Sequence, residues 1–179
     1  YHGIVGIHTS IEGDVWTGSK LDAASGHDTL AEVDSDDLAL CYGKMLDKYR
    51  PGSVWLCNEF TKAAVFDSIM AAAGGNQNAQ LAAGQPATYM GYPIITSEKM
   101  YAPATAGTAA NGLVPILFGR FDIGVSMGVR RGMTVAMSDQ RYFELDQIAI
   151  RGTERFDIAA HNANPGTTVG PIVGLSLTT

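Results

Sequence analysis

The residues with the clearest chemical potential are Gly124-Val125-Ser126-Met127-Gly128, which fit the G-x-S-x-G spacing of a nucleophile elbow. In that device a sharp strand-to-helix turn holds a serine hydroxyl out from the backbone. Asp139 or Asp146 and then His161 follow in the order that such a serine requires of its partners. The sequence after Ser126 argues against the device. Val129-Arg130-Arg131-Gly132-Met133-Thr134-Val135 is glycine-broken and strand-like where a helix is needed. Three specified residues in five also arise readily in a chain with 21 glycines. A serine hydrolase using Ser126 and His161 stands as the enzyme alternative, and no residue is assigned as catalytic.

The other reactive types are scattered. Of His2, His8, His27 and His161, none has a second histidine at i+4, so surface or turn roles are expected. Asp34, Asp36 and Asp37 lack the glycine and the distant Glu of a calcium loop; they suit the start of a helix. No phosphate-cradling glycine loop is present. Cys41 and Cys57 have neither Cys-x-x-Cys spacing nor a framework of further cysteines, so reduced, buried thiols are expected, as in a cytosolic protein. Gly124, Gly128 and Gly132 repeat at GxxxG spacing, but the flanks are polar and β-branched, which suits glycines on one strand face. No metal and no cofactor is expected.

Composition narrows the partners. The 179 residues are 46% hydrophobic and 17% charged, as in a folded domain with its own core. No apolar run approaches the roughly 20 residues of a membrane helix. The formal charge is −6, of which −5 falls on residues 1–50. Affinity for nucleic acid rests on clustered Lys and Arg, so sequence-specific nucleic-acid contact is not expected. Nor is a membrane or a small-molecule substrate.

The elements that carry these residues are an irregular start with short extended pieces (Ile4–Ile7, Asp14–Trp16), then a helix opening at Asp34-Ser35. Leu38, Cys41, Tyr42, Met45, Leu46 and Tyr49 form its apolar stripe, and Pro51-Gly52 stops it. Ser53–Cys57 reads as a buried strand. Asn58 caps a helix over Glu59–Ala73, with Phe60, Ala63, Val65, Phe66, Ile69 and Met70 inside. Residues 74–88 and 101–112 are loops, and Tyr92–Thr96 is extended. Leu113–Phe118, Gly124–Val129 and Gly132–Ser138 are short strands, with a hairpin turn at Ser138-Asp139-Gln140. Along Arg141–Ile158 the apolar residues change from odd (Phe143, Leu145) to even numbers (Ile148, Ile150, Phe156, Ile158). One extra residue near Asp146-Gln147, a β-bulge, would put them on one face, so a bulge or bend is expected there. A turn at Asn164-Pro165-Gly166 and a strand over Val169–Leu177 close the chain. The class is α+β.

The order of these elements resembles the tailed-phage major capsid protein family, with its Hong Kong phage-type shell fold. Tyr1–Thr9 looks like the family's approach to its axial domain. Ser35-Asp36-Asp37-Leu38 and Tyr49-Arg50-Pro51-Gly52-Ser53-Val54-Trp55-Leu56-Cys57-Asn58 are similar to its helix, tryptophan-bearing strand and following helix. Met90-Gly91-Tyr92-Pro93-Ile94-Ile95 resembles a further strand. Phe118-Gly119-Arg120-Phe121-Asp122 resembles a turn of that family, with Arg120 where Asp is more usual. Arg130-Arg131-Gly132-Met133-Thr134-Val135 and Glu154-Arg155-Phe156-Asp157 look like the start and end of its peripheral hairpin.

The resemblance implies an axial domain over residues 1–130, rejoined by 163–179, with a central mixed sheet flanked by helices. It implies a peripheral-domain β-hairpin over 131–162. The family's N-terminal arm, extended loop and spine helix precede the matched region, so these residues correspond to its later half. On that basis the hairpin is expected to be exposed, and the 179 residues alone are not expected to close into shells. The function implied is a structural subunit of a phage or prophage capsid enclosing DNA, part of the virion and assembled in the bacterial cytoplasm. It would act through pentamer and hexamer contacts and not as an enzyme. The alternative with the same fold is an encapsulin-type compartment.

Overall fold

The structure is a computed structural model that describes residues 6–12, 16–74, 86–160 and 168–178. Six strands form a mixed sheet in the order β1-β8-β5-β2-β4-β3. They are β1 (Lys20–Asp22), β2 (Val54–Cys57), β3 (Thr88–Tyr89), β4 (Tyr92–Thr96), β5 (Ile116–Gly119) and β8 (Ile172–Ser176). β1 runs parallel to β8, and β2 parallel to β4; the other neighbours are antiparallel. Among the described residues, β6 (Val125–Tyr142) and β7 (Gln147–Ala160) pair only with each other.

Side-chain alternation along the central strands divides the core between the two faces of the sheet. Trp55, Cys57, Ile116, Phe118, Val173 and Leu175 point into one cluster with Leu38, Cys41, Met45, Val65 and Phe66. Leu117 and Ile172 point into the other, with Ile11, Trp16, Met100 and Val114. Trp55 anchors the first cluster. Its ring lies 4.3 Å from Phe118 and 5.6 Å from Phe66, and its Nε1–H donates to the Tyr89 carbonyl. Gly174 sets the depth of the second: a Cβ there would come within 2.7 Å of Val114 and 2.9 Å of Ile11.

Helix α1 (Ile7–Glu12) replaces the extended piece expected through Ile7, because Ile11, fully buried, docks one side of a helical turn on the sheet. Residues 4, 5, 14 and 15 lie outside the described residues. Helix α2 (Ser35–Lys44) opens as its acids suggest. The Asp34 carboxylate accepts from the N–H groups of Asp36 and Asp37, and Asp37 reaches back to the Asp34 N–H. It ends earlier than its apolar stripe. Met45 turns extended and drops into the core, and Lys44 donates to the Lys20 carbonyl. Leu46 is left partly exposed, and Asp47–Tyr49 form a separate 3-10 turn.

The next helix is continuous over α3 (Glu59–Thr61), a π segment (Lys62–Asp67) and α4 (Ser68–Ala72). Asn58 caps it through Phe60 N–H. The wider π turn accounts for a departure from the expected inner face. Consecutive Val65 and Phe66 are both buried and Thr61 joins them, whereas Phe60 and Ala63 face out.

Candidate assembly surface

The hairpin of β6 and β7 is rooted on the second core cluster. A four-residue helix, α5 (Phe121–Gly124), leads into β6, and Phe121, Val125 and Ala160 pack beneath the sheet. Gly124 lets this root close on Ile172, whose Cδ1 would lie 2.7 Å from an added Cβ. Beyond the root nearly every residue of both strands is exposed.

Gly124–Val129 and Gly132–Ser138, expected as separate strands, run together in β6. The turn also falls further on. Tyr142 pairs with Gln147, and Phe143–Leu145 with Asp146 (φ +50°) make the reversal. Ser138, Asp139 and Gln140 are therefore strand. The parity change seen in the sequence marks this turn and not a bulge in one long strand.

Bulges occur instead in β6, which has 18 residues against 14 in β7. Val129 opposes Phe156 and Arg131 opposes Arg155, so two steps on β6 match one on β7. Between Arg131 and Thr134, three steps match two, and between Ser138 and Tyr142, four match two. Each of the first two insertions flips the side-chain parity once. Together they move Arg131 off the face that its odd number would share with Val129 and Val135.

The result is a two-faced ribbon. Opposite residues share a face, so Met127 with Ile158, Val129 with Phe156, and Met137 with Ile150 lie on one side, joined by Val135 and Ile148. These side chains are 37–73% exposed. Arg131 with Arg155, Thr134 with Thr153, Ala136 with Arg151, and Gly128 with Asp157 lie on the other. Contiguous exposed apolar faces are the kind of surface that marks interaction sites.

The structure does not build the nucleophile elbow. Ser126 lies within β6, paired with Ala159, and the helix precedes the serine. Asp139 is strand and Asp146 lies at the far turn; His161 lies outside the described residues, as do His2 and the turn at 164–166. The three glycines at GxxxG spacing do not share a strand face either. Gly124 ends α5, Gly128 is paired in β6, and Gly132 falls in the second bulge.

One cluster escaped sequence reasoning. The ligand-type atoms of His27, Asp34 and Asp37 lie within 4.8 Å of one another. Gly26, at φ +88°, turns the loop so that His27 returns to the helix start. The buried Asp37 carboxylate accepts from the Ala24 N–H (3.0 Å), from His27 Nδ1 (2.7 Å) and from the Asp34 N–H (3.4 Å). That hydrogen bond, with the charges of Asp37, Asp34 and Glu32, raises the His27 pKa above its ordinary value against the opposing effect of burial. The arrangement is a clasp joining the loop to α2, since protein donors occupy both carboxylate oxygens. Cys41 and Cys57 are free and buried, and burial pushes both thiols up to about 12. No helix among the described residues is long and apolar enough to cross a membrane.

This mixed sheet with helices and its long hairpin share their fold with solved capsid and encapsulin structures. The chain belongs to the phage capsid family, whose model matches residues 3–165. The capsid of an empty GTA particle, computed with C5 symmetry, is 21% identical with a TM-score of 0.65; the match covers 89% of this chain and 50% of that one. The holo-SrpI encapsulin complex from Synechococcus elongatus PCC 7942 is 17% identical, TM-score 0.53, covering 89% and 52%. A structure from Mycobacterium phage Bobi is 17% identical, TM-score 0.51, covering 100% and 56%. At these identities the likeness is one of fold. The chain spans about half the length of these structures. No curated protein matches it in sequence.

Proposed function

We propose that this chain is part of a structural subunit of a phage or prophage capsid, an icosahedral shell enclosing DNA, and that it acts through subunit contacts without catalysis. The carrying observation is the apolar face of the hairpin, which has no cover among the described residues. Family membership supports the reading, as does the exposed position of Ser126 on a strand. The six-stranded part would serve as the axial domain at the five- and six-fold positions of pentamers and hexamers. The hairpin would serve as the peripheral domain, with pairing that starts at Val125 instead of 131. Its apolar face would be covered in the shell by the family's spine helix, outside these 179 residues. Assembly in the bacterial cytoplasm and a place in the virion follow from the same reading.

The encapsulin likeness supports a second reading, a shell around protein cargo, at a lower TM-score than the GTA capsid. Purified particles separate the two. Nuclease-protected DNA inside them supports the capsid reading, and a defined protein cargo without DNA supports the other. Hydrolysis of ester substrates that is lost in Ser126→Ala would overturn both.

A further inference from the structure

Arg131 and Arg155 are direct cross-strand partners, and Arg151 stands on the same face opposite Ala136. Like charges directly opposite each other repel. Among the described residues none of the three has an ion-pair partner. Such a face is stable in water and more so against an anionic surface. The rest of the chain offers one. Residues 125–160 hold five arginines and five acids, so the whole formal charge of −6 lies elsewhere. It concentrates in residues 21–43, which contain six acids and no Lys or Arg. Glu32, Asp34 and Asp36 are exposed there. By contrast, Asp47, Glu59 and Asp122 are each neutralised by a base two or three residues away.

Both surfaces are exposed within one copy, so they do not meet in it. We propose that the arginine face of the hairpin docks on the acidic corner at Glu32, Asp34 and Asp36 of a second copy. The face has mixed sign, since Asp157 lies on it opposite Gly128. A mixed-sign face suits a protein surface better than a phosphate track, which calls for clustered bases alone. The inference rests on the shell reading only in requiring a second copy.

The test is sedimentation velocity on the 179-residue chain at low and high salt. Arg131→Glu with Arg155→Glu should weaken low-salt self-association by on the order of tenfold, and so should Glu32→Lys with Asp36→Lys. The four changes together should restore it. Circular dichroism checks that each variant is folded. Association through the apolar face persists in high salt, so the two contacts are read separately. A chain that is monomeric at low salt would overturn the inference, and so would a fourfold variant no tighter than either double variant. Duplex DNA binding that is lost with the two arginines while self-association stays unchanged would also overturn it, assigning the face to nucleic acid.

Discussion

Met137 and Ile150 stand opposite each other across the hairpin, 73% and 68% exposed, on a face that gathers eight apolar side chains from two strands. Exposed apolar area of this kind favours association by roughly 25 cal/mol for each Å² removed from water. Met137→Glu with Ile150→Lys replaces the apolar pair by an opposite-charge pair and keeps the strands matched. The change should leave urea stability within about 1 kcal/mol while abolishing the salt-resistant part of self-association. Sedimentation velocity and urea titration together check this.

Gly119 pairs with Ile172, and an added Cβ would meet the Ile172 Cα and the Pro171 carbonyl at 2.7 Å. Those are backbone atoms and cannot rotate away. Gly119→Ala should therefore destabilise by about 1–3 kcal/mol. Gly132→Ala has nothing within 4 Å of its added carbon and should change stability little. Chemical denaturation of the two variants side by side tests the contrast.

The His27–Asp37 clasp gives stability a pH dependence with a definite sign. The folded-state pKa of His27 is raised, chiefly by its hydrogen bond to Asp37. Its contribution is thus fully present below the unfolded value of about 6.5 and fades as pH rises through the folded value. His27→Asn should flatten that part of the profile of unfolding midpoint against pH. An unchanged profile would mean that the clasp does not couple to folding.

Both thiols are buried and held near 12, so the reactive thiolate is scarce in the native state. Alkylation at mildly alkaline pH should be slow for Cys41 and Cys57 and should accelerate together with unfolding in urea. Mass spectrometry of the two peptides reads each site.

Where local chemistry decides structure, the sequence was a sound guide. The Asp34 and Asn58 caps depend on neighbours within a few residues, and the run Val54–Cys57 marks the Trp55 strand by its own apolar composition. Elements governed by distant contacts were not legible. Met45 leaves the helical path because the core draws it in, and the π turn at Lys62–Asp67 exists to seat Val65 and Phe66 side by side. The hairpin turn falls later than periodicity places it, because an apolar parity change has two causes, a bulge or a reversal, and periodicity alone does not separate them. The two-faced ribbon depends on bulges and on pairings as distant as Val125 with Ala160, Val129 with Phe156 and Arg131 with Arg155, and no local pattern carries that. His27 met Asp37 for the same reason: a glycine turn, not spacing, brings them together.

The most direct test of the shell reading is cryo-electron microscopy of particles from bacteria expressing the complete reading frame that contains this chain. The account predicts closed icosahedral particles, with the six-stranded sheets gathered at five- and six-fold positions and the apolar face of each hairpin covered at the periphery. Dispersed monomers, or particles in which Met137 and Ile150 remain open to solvent, would contradict it.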